Sequence, residues 1–186
     1  MLYHGYRESQ RPSEGRWEEY RLQQKSEYLY GNIYYEEKED GTIEITGCTS
    51  SATSINIPST IVGKTVTSIR NCAFYGCKSL TSVTIPNSIT SIGREAFYDC
   101  TSLTSISIPH SVTSIDNYAF YGCSALSSVK LPTNCQLGKY IFYECDSLNE
   151  ISIPEGTTSI YDTYPLDDDK EVDQKNDGAC LAGGAI

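Results

Sequence analysis

The sequence predicts a β-rich repeat solenoid of about four to five repeats of 22–23 residues. Phenylalanine recurs at intervals of 23, 23 and 22 residues, and cysteine and several aliphatic positions keep the same intervals. A proline closes the same part of each unit. The phenylalanine, cysteine and proline columns are Phe74, Phe97, Phe120, Phe142; Cys77, Cys100, Cys123, Cys145; and Pro86, Pro109, Pro132, Pro154. Columns in register over four copies indicate stacked structural repeats.

Each unit contains two short extended segments and one compact segment. Residues 80–86 alternate between apolar and polar side chains, which predicts a strand with one buried face. Residues 89–92 form a second extended piece. Residues 94–97 include helix formers and no β-branched residue, which predicts a single helical or 3-10 turn. The proline after each strand lacks an N–H donor and ends the ladder.

One unit has too few apolar side chains to fold alone, so the repeats must stack and identical side chains must lie on one another. We therefore assign the phenylalanine column and the column of Cys77, Cys100, Cys123 and Cys145 to the structural core. Stacked cysteines would lie about 4.8 Å apart, but side chains in parallel register point alike rather than toward each other. This favours buried free thiols, with disulfides as the alternative.

The remaining cysteines do not form a metal-binding motif. Cys135 replaces Ile89 and Val112 and is predicted to be in the core, whereas Cys72 occupies a position that favours exposure. A zinc site would need clustered pairs with histidines. Here the repeat sets the spacing and only two histidines exist. We expect no metal and no cofactor.

Four segments follow from the composition. Residues 1–31 are polar and either disordered or a short helix, and residues 32–57 alternate as a hairpin-like N-terminal cap that turns at Asp40-Gly41. Residues 58–160 hold the repeats. Residues 161–186 read as an acidic tail that ends in small residues.

The charge distribution argues against two classes of partner. The formal net charge is −10, yet residues 55–160 carry six Lys/Arg and seven Asp/Glu, so the acidity lies at the two ends. No basic stripe is present to hold phosphates, which disfavours nucleic acid. No apolar run approaches the roughly 18 residues of a membrane span.

At these residues the chain resembles the BspA-like leucine-rich repeat family. The pattern is L-x-x-[VI]-x-[IL]-P, then [IV]-x-x-I, then A-F-x-x-C, and it runs from about Asp40 to Ile160. The fourth copy departs from it, with Ile141 in place of alanine. The resemblance implies a right-handed leucine-rich-repeat coil and binding of proteins or host surfaces. It also implies that the chain is not an enzyme.

Two ladders are candidate binding surfaces. The main strands place short polar side chains away from the core, and these are the predicted protein-binding residues Ser82, Thr84, Ser105, Ser107, Ser128, Lys130, Glu150 and Ser152. The alternative is the tyrosine column beside the phenylalanines, formed by Tyr75, Tyr98, Tyr121 and Tyr143. Tyrosine is favoured at interfaces, but this column could equally cover the flank of the compact segment.

The function hypothesis is a non-enzymatic protein-binding module. The resemblance extends it to an adhesin-type surface protein that binds a host matrix or cell-surface protein. The alternative is a structural spacer or display segment with no ligand of its own. The N-terminus has no apolar signal-peptide core. The cell surface, the cytoplasm and a fragment of a longer protein therefore remain open alternatives.

Overall fold

The computed structural model describes residues 28–152 and residue 154. These residues form thirteen short strands. In chain order the strands are β1 (Tyr28–Tyr30), β2 (Ile33–Glu37), β3 (Ile43–Cys48), β4 (Ser54–Asn56), β5 (Thr60–Ile61), β6 (Lys64–Ile69), β7 (Ser82–Thr84), β8 (Ser91–Ile92), β9 (Ser105–Ser107), β10 (Ser114–Ile115), β11 (Ser128–Lys130), β12 (Gln136–Leu137) and β13 (Glu150–Ser152).

Two sheets run along the stack of coils. The five-stranded ladder sheet has the order β13-β11-β9-β7-β4, and every neighbouring pair is parallel. The long sheet has the order β1-β2-β3-β6-β8-β10-β12. Each repeat strand pairs with its equivalent one coil away, as Ser82 does with Ser105. The predicted β-rich repeat solenoid is confirmed.

The N-terminal strands extend the long sheet. β2 and β3 are antiparallel and are joined by a turn at Asp40–Gly41, where the Thr42 amide donates to Asp40 Oδ1 at 2.9 Å. β3 then pairs in parallel with β6. The hairpin therefore covers the N-terminal edge of the long sheet, which an unpaired strand would leave open to association. The tail at 161–186 and residues 1–27 lie outside the described residues, so the four-segment division stays a prediction.

A second hairpin explains the extra residues before the first full repeat. β5 pairs antiparallel with the start of β6, and the chain reverses at Val62 and Gly63, with φ of 49° and 76°. Positive φ at both central residues is typical of the tight turns that connect hairpin strands. The insertion thus projects from the coil without changing the register of the strands that follow.

The core is a continuous column of stacked rings and aliphatic side chains. The four phenylalanines are at most 1% exposed. Their ring centroids lie 4.9 Å apart for Phe74 and Phe97, 5.0 Å for Phe97 and Phe120, and 5.6 Å for Phe120 and Phe142. The last step crosses the shorter 22-residue repeat, where Ile141 also replaces alanine. The spacing therefore opens where the sequence departs from the repeat.

The helical or 3-10 turn predicted for residues 94–97 needs correction, because neither helix type occurs within residues 28–152. The compact segment is instead a series of turns in which alternate amides bond in two directions. Amides of one set donate locally to carbonyls three residues earlier, as in Ala96 to Gly93, Tyr98 to Glu95 and Cys100 to Phe97. Those of the other set donate to the next coil, as in Glu95 to Asn117, Phe97 to Ala119 and Asp99 to Tyr121.

Backbone conformation explains why no helix forms there. Glu95 and Asp99 have positive φ of 55° and 57°, and the equivalent positions of the other coils do the same. A residue in the left-handed region interrupts the helical hydrogen-bond pattern. The intercoil bonds, at 2.7 Å for Phe97 and 2.8 Å for Asp99, replace the bonds that a helix would make. Helix propensity is therefore overridden by pairing between coils.

One glycine is required because neighbouring coils come close together. A Cβ on Gly93 would lie 2.5 Å from Asn71 Oδ1, 2.6 Å from the Asn71 nitrogen and 2.8 Å from the Arg70 carbonyl carbon. Two of these three atoms are backbone and cannot rotate away. The same Asn71 side-chain oxygen accepts a hydrogen bond from the Arg94 amide at 2.8 Å. The contact therefore fixes the spacing of two coils at this corner.

We predict that Phe97→Ala lowers the free energy of unfolding by about 3–5 kcal/mol, because it leaves a cavity in the middle of the ring column. Urea denaturation followed by circular dichroism measures this loss. Ser105→Ala, at an exposed strand position, is the control and should change stability by less than about 0.5 kcal/mol. Equal stability of the two variants would contradict the stacked core.

We also predict that Gly93→Ala destabilises the protein by roughly 1–3 kcal/mol through overpacking against the Asn71 backbone. Asp116→Asn is the matched control, since Asp116 holds the same position one coil later, and asparagine keeps both the Cβ and the side-chain oxygen that accepts from the Asn117 amide at 2.6 Å. Thermal melts of both variants measure the difference. A melting temperature for Gly93→Ala at or above that of Asp116→Asn would show that the coils can separate at this corner at little cost.

Candidate functional site

The outer face of the ladder sheet consists of two straight columns of short polar side chains. In β4, β7, β9 and β11 the central residue is buried and both flanking residues are exposed. β13 repeats the pattern, except that Ser152 is half-buried. Pairing in register produces the columns Ser54, Ser82, Ser105, Ser128, Glu150 and Asn56, Thr84, Ser107, Lys130, Ser152. The structure thus brings all eight predicted binding residues onto one face.

Sequence reasoning missed the first strand of this face. β4 adds Ser54 and Asn56 to the two columns, and Ser82 Oγ donates to Ser54 Oγ at 3.0 Å. The signal was present, because Ile55 and Ile57 followed by proline match the apolar-x-apolar-Pro ending of the later strands. With five strands at about 4.8 Å spacing, the face extends for roughly 19 Å along the stack.

A row of hydroxyls fixes the entry to each ladder strand. Thr81 Oγ1 donates to the Thr53 carbonyl at 2.8 Å, Thr104 Oγ1 to the Thr81 carbonyl at 3.3 Å, and Ser127 Oγ to the Thr104 carbonyl at 3.3 Å. These bonds join successive coils directly beside the exposed columns. The face is therefore held in shape by side chains as well as by the backbone ladder.

The tyrosine column forms a second regular surface. Ring centroids are 4.8 Å apart for Tyr75 and Tyr98, 4.7 Å for Tyr98 and Tyr121, and 5.5 Å for Tyr121 and Tyr143. The ring planes within each of the first two pairs are inclined to each other by only 2°. Because the rings stack face to face with an offset, each ring covers its neighbours and presents mainly its edge outward. This geometry is that of a covering over the compact segment.

Hydrogen bonding further orders the C-terminal part of that column. The Tyr121 hydroxyl donates to Glu144 Oε1 at 2.5 Å. Burial and this bond raise the pKa of Tyr121 above its ordinary value of 10.0. A second stack joins Tyr118 and Tyr140 at 5.4 Å, and the Arg94 guanidinium lies 5.4 Å from the Tyr118 ring centroid. Arginine over an aromatic face adds a cation–π attraction.

An ion-pair cluster that sequence reasoning missed lies on the long sheet. The Arg70 guanidinium donates to Glu36 and, at 2.8 Å, to Glu44, which also accepts from Ser68 Oγ at 3.2 Å. Burial alone would lower the pKa of Arg70, but the two carboxylates raise it above its ordinary value. The two carboxylates lie on β2 and β3, whereas Arg70 directly follows β6, so only the fold brings these residues together. The cluster joins the N-terminal hairpin to the first coil.

The cysteine column forms hydrogen bonds between coils. Cys100, Cys123 and Cys145 are at most 4% exposed, and their thiols donate to the carbonyls of Phe74, Phe97 and Phe120 at 3.1, 3.2 and 3.1 Å. A hydrogen bond with Cys100, together with burial, raises the pKa of Cys123, and the Cys123 thiol and burial raise that of Cys145. The Cys123 and Cys145 thiols therefore stay protonated at a pH where an ordinary thiol ionises.

Two cysteines differ from the predicted buried thiols. Cys77 is only partly buried, because the coil before it lacks a compact segment that would cover it. Cys135 is also only partly buried, since it lies in the shortened repeat beside the exposed Asn134 and Gln136. Burial still raises the pKa of Cys135 to about 11. Cys72 is partly buried rather than exposed, and Cys180 lies outside the described residues.

Neither a metal centre nor a membrane-spanning helix occurs in the part of the chain that the structure describes. No three side chains among His, Cys, Asp and Glu cluster closely enough there to hold a metal ion. No helix within the same residues is long and apolar enough to cross a bilayer. His110 is exposed in the turn after Pro109. The surface features of the described residues are the polar columns of the ladder sheet, the tyrosine column and the ion-pair cluster.

Comparison with known proteins identifies relatives of the repeats. Residues 46–164 match the family described as BspA type leucine-rich repeat region, in six copies. Six copies exceed the four to five that the sequence periodicity indicates. Comparison with curated proteins gives no match.

Three solved structures illustrate the structural similarity. A leucine-rich repeat protein of T. pallidum is 33% identical with a TM-score of 0.65, over 69% of this chain and 61% of that protein. A leucine-rich repeat protein of Bacteroides ovatus is 38% identical with a TM-score of 0.65, over 70% of this chain and 36% of that protein. One from Bacteroides capillosus is 28% identical with a TM-score of 0.62, over 68% and 97%. The chain thus spans less than two thirds of the T. pallidum protein and of the Bacteroides ovatus protein.

We predict that stability falls at alkaline pH because of the buried thiols. The folded pKa values of Cys123 and Cys145 lie above the ordinary 9.0, so the thiols contribute stability below that pH. As the pH rises above 9, thiols of the unfolded chain ionise while the folded ones do not. Each then removes about 1.4 kcal/mol per pH unit. Urea unfolding midpoints between pH 7 and 10.5 measure this slope.

The control is the double variant Cys123→Ala with Cys145→Ala. It should be less stable at pH 7 because of the two cavities, yet its stability should fall less steeply above pH 9. Tyr121 is unchanged in both proteins, so its own titration cancels in the comparison. Parallel pH profiles for the two proteins would show that the column does not hold its thiols protonated.

Proposed function

Because the chain belongs to the BspA type leucine-rich repeat family, we propose that it is a non-enzymatic protein-binding module whose binding face is the outer surface of the ladder sheet. The observation that carries this proposal is the pair of exposed columns that five parallel strands hold in register. Repeat solenoids characteristically bind partners through such extended surfaces.

The first supporting argument is the small entropic cost of binding at this face. Most residues of the two columns are serine, threonine or asparagine, and short side chains have little rotamer freedom to lose. Ordering interface side chains is one of the main costs of protein association. A partner's backbone can also approach closely, because nothing longer than Lys130 or Glu150 projects from the columns.

The second argument is that the face is already shaped before a partner arrives. Backbone pairing in register and the hydroxyl row at Thr81, Thr104 and Ser127 fix successive strands to one another. A preformed surface avoids the ordering cost that a flexible loop would incur. The tyrosine column is also regular, but its rings are largely engaged with each other.

The third argument concerns charge. Lys130 and Glu150 lie on adjacent strands at the C-terminal part of the face, whereas the columns of β4, β7 and β9 carry no charge. Two opposite charges at one end can fix the orientation of a partner without a strong general field. A nearly neutral polar face therefore fits a protein surface better than it fits a polyanion.

The class of partner follows from the family resemblance. The repeats resemble a family described in bacterial surface proteins, which favours a host matrix or cell-surface protein as ligand and an adhesin-type role. A cell-surface or extracellular location is part of this proposal. The competing function is a spacer or display segment, in which the repeats only hold the acidic segments at either end apart.

We predict that Ser105→Arg with Ser107→Arg abolishes binding to any partner found among purified extracellular-matrix proteins. Both positions are exposed in the middle strand of the face, so two long charged side chains would block docking without unfolding the coil. Surface plasmon resonance on the immobilised panel should show at least a tenfold weaker affinity, a cost of about 1.4 kcal/mol or more. The melting temperature should stay within about 2 °C of the wild type.

Two control variants test which face of the protein binds the partner. Ser91→Arg with Ser114→Arg adds the same charges to neighbouring strands of the long sheet and should leave binding intact. Tyr98→Ala with Tyr121→Ala tests the tyrosine column. Loss of binding only in the tyrosine variant would move the site to that column. A chain that binds no member of the panel, or that loses binding only when residues 161–186 are removed, would favour the spacer function.

A further inference from the structure

Two cysteines from separate parts of the chain meet at the N-terminal end of the solenoid. Cys48 is the last residue of β3, in the N-terminal hairpin, and Cys77 belongs to the compact segment of the first full repeat. Their Sγ atoms lie 3.5 Å apart, although 29 positions separate them in sequence. Sequence spacing gives no indication of this pair, since Cys48 is outside the repeating cysteine column.

The pairing follows from the way the column begins. Cys100, Cys123 and Cys145 each direct their thiol toward the phenylalanine carbonyl of the preceding coil, at 3.1–3.2 Å. The inserted hairpin makes the offset between the ladder strands of these two coils 28 residues, as in Ser54 and Ser82, so the position equivalent to Phe74 in that register is Thr46, which lies in β3 and not in a compact segment of the A-F-x-x-C type. Cys77 therefore meets a different neighbour, and that neighbour is the Cys48 thiol.

We propose that Cys48 and Cys77 form a redox-sensitive pair, which closes to a disulfide under oxidising conditions and locks the N-terminal hairpin to the first repeat. A disulfide has an S–S distance of about 2.05 Å, so the two sulfurs must approach by roughly 1.5 Å. The other column thiols donate to phenylalanine carbonyls and remain reduced.

The exposure of the two thiols determines the order of the reaction. Cys77 is partly exposed, whereas Cys48 is only 4% exposed. With glutathione disulfide as oxidant, the Cys77 thiolate attacks one sulfur and releases one glutathione thiolate, which forms a mixed disulfide on Cys77. The Cys48 thiolate then attacks the Cys77 sulfur and releases the second glutathione. Two protein thiols are oxidised by two electrons, and their protons pass to the two glutathione thiolates.

Closing this bond would link elements that otherwise meet only through noncovalent contacts. The enclosed loop, residues 48–77, contains β4, the β5–β6 hairpin and Arg70 of the ion-pair cluster. Cross-linking a loop of this length restricts the unfolded chain and stabilises the fold. Because stability in a repeat protein passes from neighbour to neighbour, a locked first coil also protects the coils that stack on it.

Other thiols compete less well for Cys77. Cys72 lies on the same compact segment, but its sulfur is directed toward Glu95 Oε2 at 3.8 Å. Cys100 donates to the Phe74 carbonyl and is fully buried. A disulfide between Cys77 and Cys100 would require the Cys100 thiol to break its bond to the Phe74 carbonyl. The geometry therefore favours Cys48 as the resolving partner.

The test is oxidation of the folded full-length protein with a glutathione/glutathione disulfide buffer, followed by alkylation and peptide mapping by mass spectrometry. Chymotrypsin can cut after Phe74 or Tyr75 and so separates Cys72 from Cys77. The expected product is a single linkage between Cys48 and Cys77. The melting temperature of the oxidised protein should rise by about 5–10 °C and return on reduction.

Two variants distinguish the proposed roles. In Cys48→Ser the partly exposed Cys77 should retain one glutathione, because nothing resolves the mixed disulfide. In Cys77→Ser the buried Cys48 should stay unmodified. The proposal is overturned if both thiols of the wild type remain free under conditions that oxidise an unstructured dithiol peptide, if Cys77 links to Cys72 or Cys180, or if the linkage forms only after denaturation. Cys72→Ser is the control and should oxidise like the wild type.

Discussion

The structure depends on hydrogen bonds between successive coils, most clearly in the compact segments. There, every second amide donates to the next coil while the amides between them close local turns. Buried backbone groups must be paired, and this alternation satisfies them without a helix. This alternation of hydrogen bonds requires that each coil has the same number of residues and that equivalent residues of successive coils lie directly on one another. The 23-residue period and the stacked phenylalanines, tyrosines and thiols all follow from that requirement.

The departures from the period show how much variation this constraint allows. The hairpin at Val62 and Gly63 is inserted at a corner and leaves the strand register intact. The missing residue of the fourth repeat falls in a turn, yet its effect reaches the core, where the last ring spacing widens to 5.6 Å. An insertion that projects outward therefore changes the structure only locally, whereas the loss of a residue from a coil changes the ring spacing in the core.

The sequence alone predicts much of the fold, because each sequence repeat corresponds to one coil of the stack. Leu80, Val83 and Ile85 are buried as the pattern predicts, although the strand itself covers only Ser82–Thr84, and the phenylalanine column identifies the core. The turn conformation at Glu95 and Asp99 was not predictable in this way. Propensity favours a helix there, and only pairing with the next coil overrides it. The meeting of Cys48 with Cys77, and of Arg70 with Glu36, likewise arises from contacts between segments that no repeat pattern describes.

The candidate site also has some features that the sequence predicts and others that only the structure shows. Periodicity alone places Ser105 and Ser107 on an outward face, since alternate residues of a strand point to opposite sides. Periodicity also offers the tyrosine column as the alternative face, but only the structure shows that its rings stack on each other. The sequence pattern does not predict the identity of a ligand, because a surface of serines and threonines carries few distinguishing groups.

The direction of the bonds in the compact segments gives the solenoid two chemically different ends. In those segments the N–H groups of Phe74 and Phe97 point toward the C-terminal coil, but at the strand corners the amides of Thr90 and Thr113 point toward the N-terminal one. Peptide dipoles therefore run in opposite senses along different sides of the same coil. Any element that covers the C-terminal face must offer carbonyl oxygens along one side and N–H groups along the other. An added repeat meets this demand automatically, whereas a globular partner must be built to match it.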